Sequence, residues 1–237
     1  MNVSDYKYKT EMHAHSWPCS GCSQIPPESI VKIYSALGYT SVVLTNHFNP
    51  SMRFYGEKDE ALKAYLRDYH TAVEYGEKYG VNVILGCEIR FSENANDYLL
   101  YGIDEEFLTD AYEYIEKDVE EFSGWFRNDS RLFIQAHPFR NGMTEIEPSL
   151  LDGIETFNMH PNHNSRVAVA VKYAKENNFT VTCGTDYHHP NHEGMISMLT
   201  KKPITNSFEL ASVLKSRDYL FDMNGVIILP YGEMQIL

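Results

Sequence analysis

No apolar run approaches the length of about 18 residues that crosses a bilayer, and the opening segment MNVSDYKYKTEMHAHS has no apolar core of signal-peptide length. The chain is therefore expected to be cytosolic, with no membrane contact. Basic residues are scarce: 20 Lys and Arg stand against 33 Asp and Glu, a formal net charge of −13. Nucleic-acid backbones demand clustered cations, so nucleic acid is not an expected partner. Cysteine is sparse as well. Cys19, Cys22, Cys87 and Cys183 do not make a disulfide framework in 237 residues. Cys19-x-x-Cys22 lacks the second pair that a structural zinc knuckle needs. Neither a GxxxxGK[ST] phosphate loop nor a GxSxG nucleophile elbow occurs. No repeat, low-complexity tract or Gly/Ser linker divides the chain, so residues 1–237 are expected to form a single domain.

What is present is an alternation of short apolar runs and amphipathic segments. Strands are expected at 41–46, 81–89, 98–103, 131–136, 153–158, 179–185 and 226–229. Helices are expected at 28–37, 58–79, 105–122, 165–177 and 207–216. Pro26 and Pro27 suit the start of the first helix, and Gly38 its end. This alternation implies an α/β fold with a largely parallel sheet, either open and doubly wound or closed as a barrel.

The histidines carry the chemistry. His13 and His15 alternate on an expected first strand, so their imidazoles share one side. His47 follows SVVLTN, Glu88 sits near the end of VNVILGCEI, His137 ends RLFIQA, and Asp186 and His188 follow FTVTCGT. In α/β sheets and barrels the carboxyl ends of the strands form the functional face. Imidazole and carboxylate together suit Zn, Mn or Fe, and this many donors exceed one tetrahedral site. A cluster of two or more divalent ions is expected. His160, His163, His189 and His192 lie in nearby loops and are expected beside the site rather than as ligands. His70 sits in a helical segment with no motif around it. Arg90 and Arg140 follow Glu88 and His137 closely, as phosphate-binding guanidinium groups or as surface cations.

The ordered set HAH (13–15), TNH (45–47), GCE (86–88), AHP (136–138) and TDYH (185–188) resembles the PHP family, the polymerase-and-histidinol-phosphatase-like metal phosphoesterases. The resemblance spans most of the chain. It implies a distorted seven-stranded β/α barrel with a two- or three-metal centre at its C-terminal rim. It further implies that His13, His15, Glu88 and Asp186 hold one ion, and that Glu88 bridges to a second ion held with His137. His47 and His188 would belong to a third. Asp97 stands where a histidine is usual for the second ion, and a carboxylate can replace it. Two departures stand out. Asn46 replaces an acidic residue beside His47, and SWPCSGCSQ lacks the Asp or His that usually completes the third site. Members of the histidinol-phosphatase type often carry a Cys at the place of Cys19 and then a His, where this chain has Gly21. Either Cys22 substitutes, or the third ion is weakly held.

The expected function is hydrolysis of a small phosphate monoester by metal-bound hydroxide, with His13, His15, Glu88, His137, Asp186 and His188 as the catalytic set. Histidinol phosphate is one candidate substrate, disfavoured by the altered first motif. Two other readings compete. Amidohydrolases share the strand-one His-x-His and a late Asp, but the early TNH, the GCE and the Asp186/His188 pair fit them less well. A non-catalytic or exonuclease-like metal module is opposed by the negative charge and by the completeness of the donor set.

Overall fold

Among residues 2–231, which the computed structural model describes, the chain forms twelve strands and six α-helices. The first half contains β1 (Tyr8–Ala14), α1 (Pro27–Ala36), β2 (Ser41–Leu44), β3 (His47–Phe48), α2 (Lys58–Tyr79), β4 (Asn82–Leu85), β5 (Cys87–Ile89) and β6 (Tyr98–Tyr101). The second contains α3 (Glu105–Ala111), α4 (Val119–Phe126), β7 (Leu132–Gln135), β8 (Gly153–Asn158), α5 (Val167–Glu176), β9 (Thr180–Gly184), β10 (Ser197–Thr200), α6 (Ser207–Ser216), β11 (Leu220–Met223) and β12 (Val226–Ile228).

Local chemistry sets the helix boundaries. Pro27 occupies the first turn of α1, where a missing N–H costs nothing. Gly80, with φ of 70°, ends α2 in the left-handed conformation. The single helix expected over 105–122 is instead two. Asp118 caps α4 by accepting the Glu121 N–H, so a new helix begins where the periodicity had seemed continuous.

The strands form two six-stranded sheets, ordered β12-β11-β10-β1-β2-β4 and β3-β5-β6-β7-β8-β9. Pairing is parallel among β1, β2 and β4 and among β7, β8 and β9, while β6 and β10 to β12 run antiparallel to their neighbours. The expected seven-stranded barrel is therefore corrected: no closed barrel forms among the described residues. Among the described residues no ladder joins β1 to β9, and the isolated Ala14–Tyr187 bridge lies just past the end of β9. A side chain fills the gap. The buried Glu11 carboxylate accepts the N–H groups of Met12 and His13 on one side and Thr185 on the other. Those N–H groups are thereby satisfied without a strand-to-strand ladder. Strands β10 and β11 were not expected; each is only four residues long, although Asn224-Gly225 after β11 is a hairpin signal and does join it to β12.

The chain crosses between the sheets after Leu44 and after Leu85, and this delivers His47 and Glu88 side by side, in register, on β3 and β5. Gly86 sits at the second crossing, where a Cβ would come 2.7 Å from Val43 Cγ1. Buried aromatic rings of Phe91, Tyr98, Phe122, Phe126 and Phe133 form the core beneath the second sheet. No helix of the described residues is long and apolar enough to cross a membrane.

Candidate metal centre

Five strands bring seven of the expected ligands to one place. His13 is the penultimate residue of β1 and His15 follows the strand, His47 starts β3, and Glu88 lies in β5. His137 follows β7, and Asp186 and His188 follow β9. His137 and Asp186 adopt positive φ, 32° and 54°, conformations costing about 1–3 kcal/mol that persist only when the surroundings fix them. The surroundings do so here. Glu155 accepts the His137 N–H at 3.1 Å, and the Tyr187 N–H donates to the His13 carbonyl at 3.1 Å.

Glu88 is the hub, 1% exposed. Its Oε1 lies 3.2 Å from His13 Nε2 and 3.2 Å from His137 Nε2. Its Oε2 lies 2.7 Å from His47 Nδ1 and 3.5 Å from His15 Nε2. Asp186 Oδ1 lies 3.5 Å from both His13 and His15 Nε2. Asp97 is more remote, 3.9 Å from His137 Nε2. Three sets of donor atoms each lie within 4.8 Å of one another: His13, His15 and Glu88; His15, His47 and His188; and His47, Glu88 and Asp97. The first set falls within the grouping expected for one ion, the second adds His15 to the His47–His188 pair expected for a third, and the third adds His47 to Glu88 and Asp97.

The surrounding hydrogen bonds fix which nitrogens face inward. Glu155 Oε1 accepts from His13 Nδ1 at 2.9 Å. Ser20 Oγ donates to Asn46 Oδ1, and accepts from the His47 N–H and from His15 Nδ1 at 3.1 Å. With both Nδ1 atoms engaged, His13 and His15 face each other through Nε2 at 3.0 Å. Two imidazole nitrogens come that close only with a proton or a metal ion to share. His47 Nδ1 and Glu88 Oε2 are buried and close, yet not aligned as a hydrogen bond. Buried, unpartnered donor atoms of borderline-soft type fit a divalent-metal cluster.

The charge states agree. Burial would raise the Glu88 carboxyl, but His13 and His47 hold it well below the usual carboxylate range. Asp186 behaves likewise: burial is overcome by His13, His15 and His188. Burial, with His188 and His47 adding to it, keeps His15 neutral. Three imidazoles run the other way: against burial, Glu88 and Cys22 push His47 well above the usual range, Asp186 and Cys22 bring His188 to about 9, and His13 is the most enclosed of them. Burial disfavours the His13 proton, but Glu155, Asp186 and Glu88 together push it well above the usual imidazole range. For Asp97, burial and the neighbouring Glu88 charge raise the carboxyl despite Arg90. Cys22 Sγ lies 3.2 Å from His47 Nε2; burial opposes ionisation, but His188 and His47 bring the thiol down to about 6.

Arg90 and Arg140 both line the pocket. Arg90 grips Asp97 bidentately at 2.7 and 2.6 Å. Arg140 donates to Asp186 at 2.6 Å and to Asn158 at 2.8 Å, while its buried Nε has no partner. His160, His163 and His189 also line the pocket, with His192 packed behind His160. His70 lies on α2 and contacts Glu105. Sequence reasoning passed over Glu11 and Glu155, each a carboxylate in a strand of mixed polar and apolar residues, so nothing in the sequence set them apart. It also treated Asn46 only as a departure. Asn46 accepts from the Ser16 N–H and from Ser20 Oγ and donates to Ser16 Oγ, so its amide provides a donor that a carboxylate lacks.

This fold and donor cluster define an α/β metal-hydrolase architecture. The PHP domain pattern matches residues 11–177, and the chain belongs to the PHP family. A two-domain protein from Bacteroides vulgatus, described as containing a predicted PHP-like metal-dependent phosphoesterase, is similar in fold. It has 19% identity and a TM-score of 0.68, over 94% of this chain and 67% of that one. PsfC from Pseudomonas syringae aligns at 15% identity and TM-score 0.55, over 84% and 85% of the two chains. An amidohydrolase from Chromobacterium violaceum, solved with bound sulfate and no metal, aligns at 13% identity and TM-score 0.54, over 93% and 98%. No curated protein matches. Family membership and the donor cluster support a metal-dependent hydrolase.

Proposed function

We propose that the protein is a metal-dependent phosphoesterase acting on a small phosphate monoester. The observation that carries this reading is the composition of one pocket wall, where candidate metal ligands and two guanidinium groups face the same space. Its volume, about 270 Å³, lies at the low end for ligand sites and suits a small substrate.

Eight residues would hold the ions: His13, His15, His47, Glu88, Asp97, His137, Asp186 and His188. Divalent ions bound there supply Lewis-acid charge and lower the pKa of a bound water. Three carboxylates, Glu88, Asp97 and Asp186, line the pocket against two arginines. A phosphate dianion enters such a site only when further cationic charge is present. The unpartnered Nε–H of Arg140 is a free donor for a phosphoryl oxygen, and Asp186 and Asn158 fix the orientation of its fork. His160 Nδ1 accepts from the Asn162 N–H, so its remaining proton sits on Nε2 as a donor on the pocket wall. Burial draws that imidazole down to about 4, so it is neutral at neutral pH. Glu155 and Ser20 hold the His13 and His15 tautomers.

A phosphate-release screen over small phosphomonoesters, with matched carboxamides as controls, tests this reading. Ester hydrolysis abolished by chelation and restored by Zn, Mn or Fe is expected. Arg140→Met should raise KM at least tenfold for the best ester. Amide hydrolysis without phosphate release would establish the amidohydrolase reading, and single-strand DNA cleavage the exonuclease one.

A further inference from the structure

The side chain of Asn46, between β2 and β3, sits among groups of fixed polarity, and its amide has one orientation that suits them. The Ser16 N–H donates to Asn46 Oδ1 at 2.7 Å. Asn46 Nδ2 donates to Ser16 Oγ at 2.8 Å, and that hydroxyl gives its only proton to Asp68 Oδ2 at 2.9 Å. Asp68 lies on α2, is 2% exposed, and accepts the Cys19 N–H on the same oxygen at 3.0 Å. Burial raises its carboxyl, while the bonds from Cys19 and Ser16 favour the charged form. Turning the amide over would set Nδ2 against the Ser16 N–H, and Oδ1 against a hydroxyl whose proton is already committed.

This direction carries through to the candidate metal centre. With Asn46 Oδ1 fixed as an acceptor, Ser20 Oγ donates its proton there at 2.9 Å. The Ser20 oxygen accepts the His47 N–H at 3.0 Å and faces His15 Nδ1 at 3.1 Å, where it can now only accept. Burial keeps His15 neutral, with one ring proton. That proton stays on Nδ1, and the Nε2 lone pair faces the candidate ligands.

We propose that Asn46 is a positioning residue: anchored by Asp68 through Ser16, it sets the hydrogen-bond direction that holds the His15 proton on Nδ1 and leaves Nε2 to bind an ion. The proposal rests on the metal-centre reading above. It also accounts for the departure at this position. An aspartate at 46 would accept from the Ser16 N–H and from Ser20 Oγ as Asn46 does. Two carboxylates would then face the single proton of Ser16 Oγ. The buried carboxylate of this network stands at Asp68, so the residue beside His47 has to supply a donor.

Long-range 1H–15N NMR on the metal-free full chain, labelled with 15N-histidine, separates the two imidazole tautomers, and His15→Gln identifies the His15 signals. The wild type should show His15 protonated on Nδ1 and bare on Nε2. In Asn46→Leu the Ser20 hydroxyl loses its acceptor and is free to donate to His15 Nδ1. The proton should move to Nε2, and metal affinity, read by chelator competition, should fall about tenfold or more. Asn46→Asp should melt below the wild type, and adding Asp68→Asn should raise the melting temperature of Asn46→Asp. Wild-type His15 protonated on Nε2, or a folded Asn46→Leu that keeps the proton on Nδ1, would overturn the proposal while sparing the metal centre. A double variant no more stable than Asn46→Asp alone would overturn the anchoring by Asp68, and it decides the matter if Asn46→Leu does not fold. A wild type that binds no divalent ion would remove the metal centre and this role for Asn46 with it.

Discussion

Glu155 offers the sharpest test of how the site is built. It is fully buried and accepts three hydrogen bonds: from His13 Nδ1 at 2.9 Å, the His137 N–H at 3.1 Å, and Asn158 Nδ2 at 2.9 Å. Glu155→Gln keeps the volume but exchanges one acceptor oxygen for an NH2 donor. If the amide oxygen serves His13, the NH2 confronts His137 and Asn158. If it turns the other way, the NH2 confronts His13 Nδ1 and drives the imidazole proton to Nε2, the atom a metal would use. Each buried donor left unpaired costs about 1–3 kcal/mol. Losing the group that orients a metal-ligating histidine lowers metal affinity about 10–100-fold, or about 1.4–2.7 kcal/mol. The two figures agree. Competition titration with a chromophoric chelator measures the affinity, and circular dichroism confirms the fold. A folded variant whose affinity stays within twofold of wild type refutes the orienting role.

Glu11→Ala removes the acceptor shared by the Met12, His13 and Thr185 N–H groups and by the Tyr34 and Thr185 hydroxyls. The expected loss is about 3–5 kcal/mol, lowering Tm by roughly 10 °C; a shift under about 3 °C in a thermal melt contradicts the reading of Glu11 as the link between β1 and β9. For pH, burial opposes the His188 proton, but Asp186 and Cys22 raise its pKa to about 9. A pKa raised on folding contributes stability below the unfolded value of about 6.5 and loses it as pH rises through the folded one. Metal-free protein should therefore melt lower at pH 9.5 than at pH 6.5. Metal affinity should run oppositely, weakening as pH falls, because protons compete for the same imidazoles. A flat melting profile over that range would show that His188 is not held as the structure indicates.

Much of the candidate site was legible because its candidate metal ligands are rare residue types placed at strand ends. His13, His15, His47, Glu88, His137, Asp186 and His188 all meet in one cluster. What escaped notice were groups whose role depends on a neighbour across the fold. Glu155 on β8 is silent until β1 brings His13 beside it. That approach needs Gly184, where a Cβ would fall 2.4 Å from His13 Cβ and 2.7 Å from Glu155 Oε1. Arg90 gave no sign of its pairing with Asp97, because a seven-residue separation says nothing of the hairpin between β5 and β6. The barrel expectation failed for a related reason. Strand periodicity identifies strands but not where a buried carboxylate such as Glu11 interrupts the pairing between them.

Metal counting on the purified full chain, by inductively coupled plasma mass spectrometry, bears most heavily on the metal cluster. The wild type should hold at least two divalent ions per chain. Glu88→Gln, which removes an oxygen from the carboxylate that faces four imidazoles, should lose most of them. Fewer than one ion per wild-type chain, or two ions retained at full occupancy in Glu88→Gln, would contradict the account.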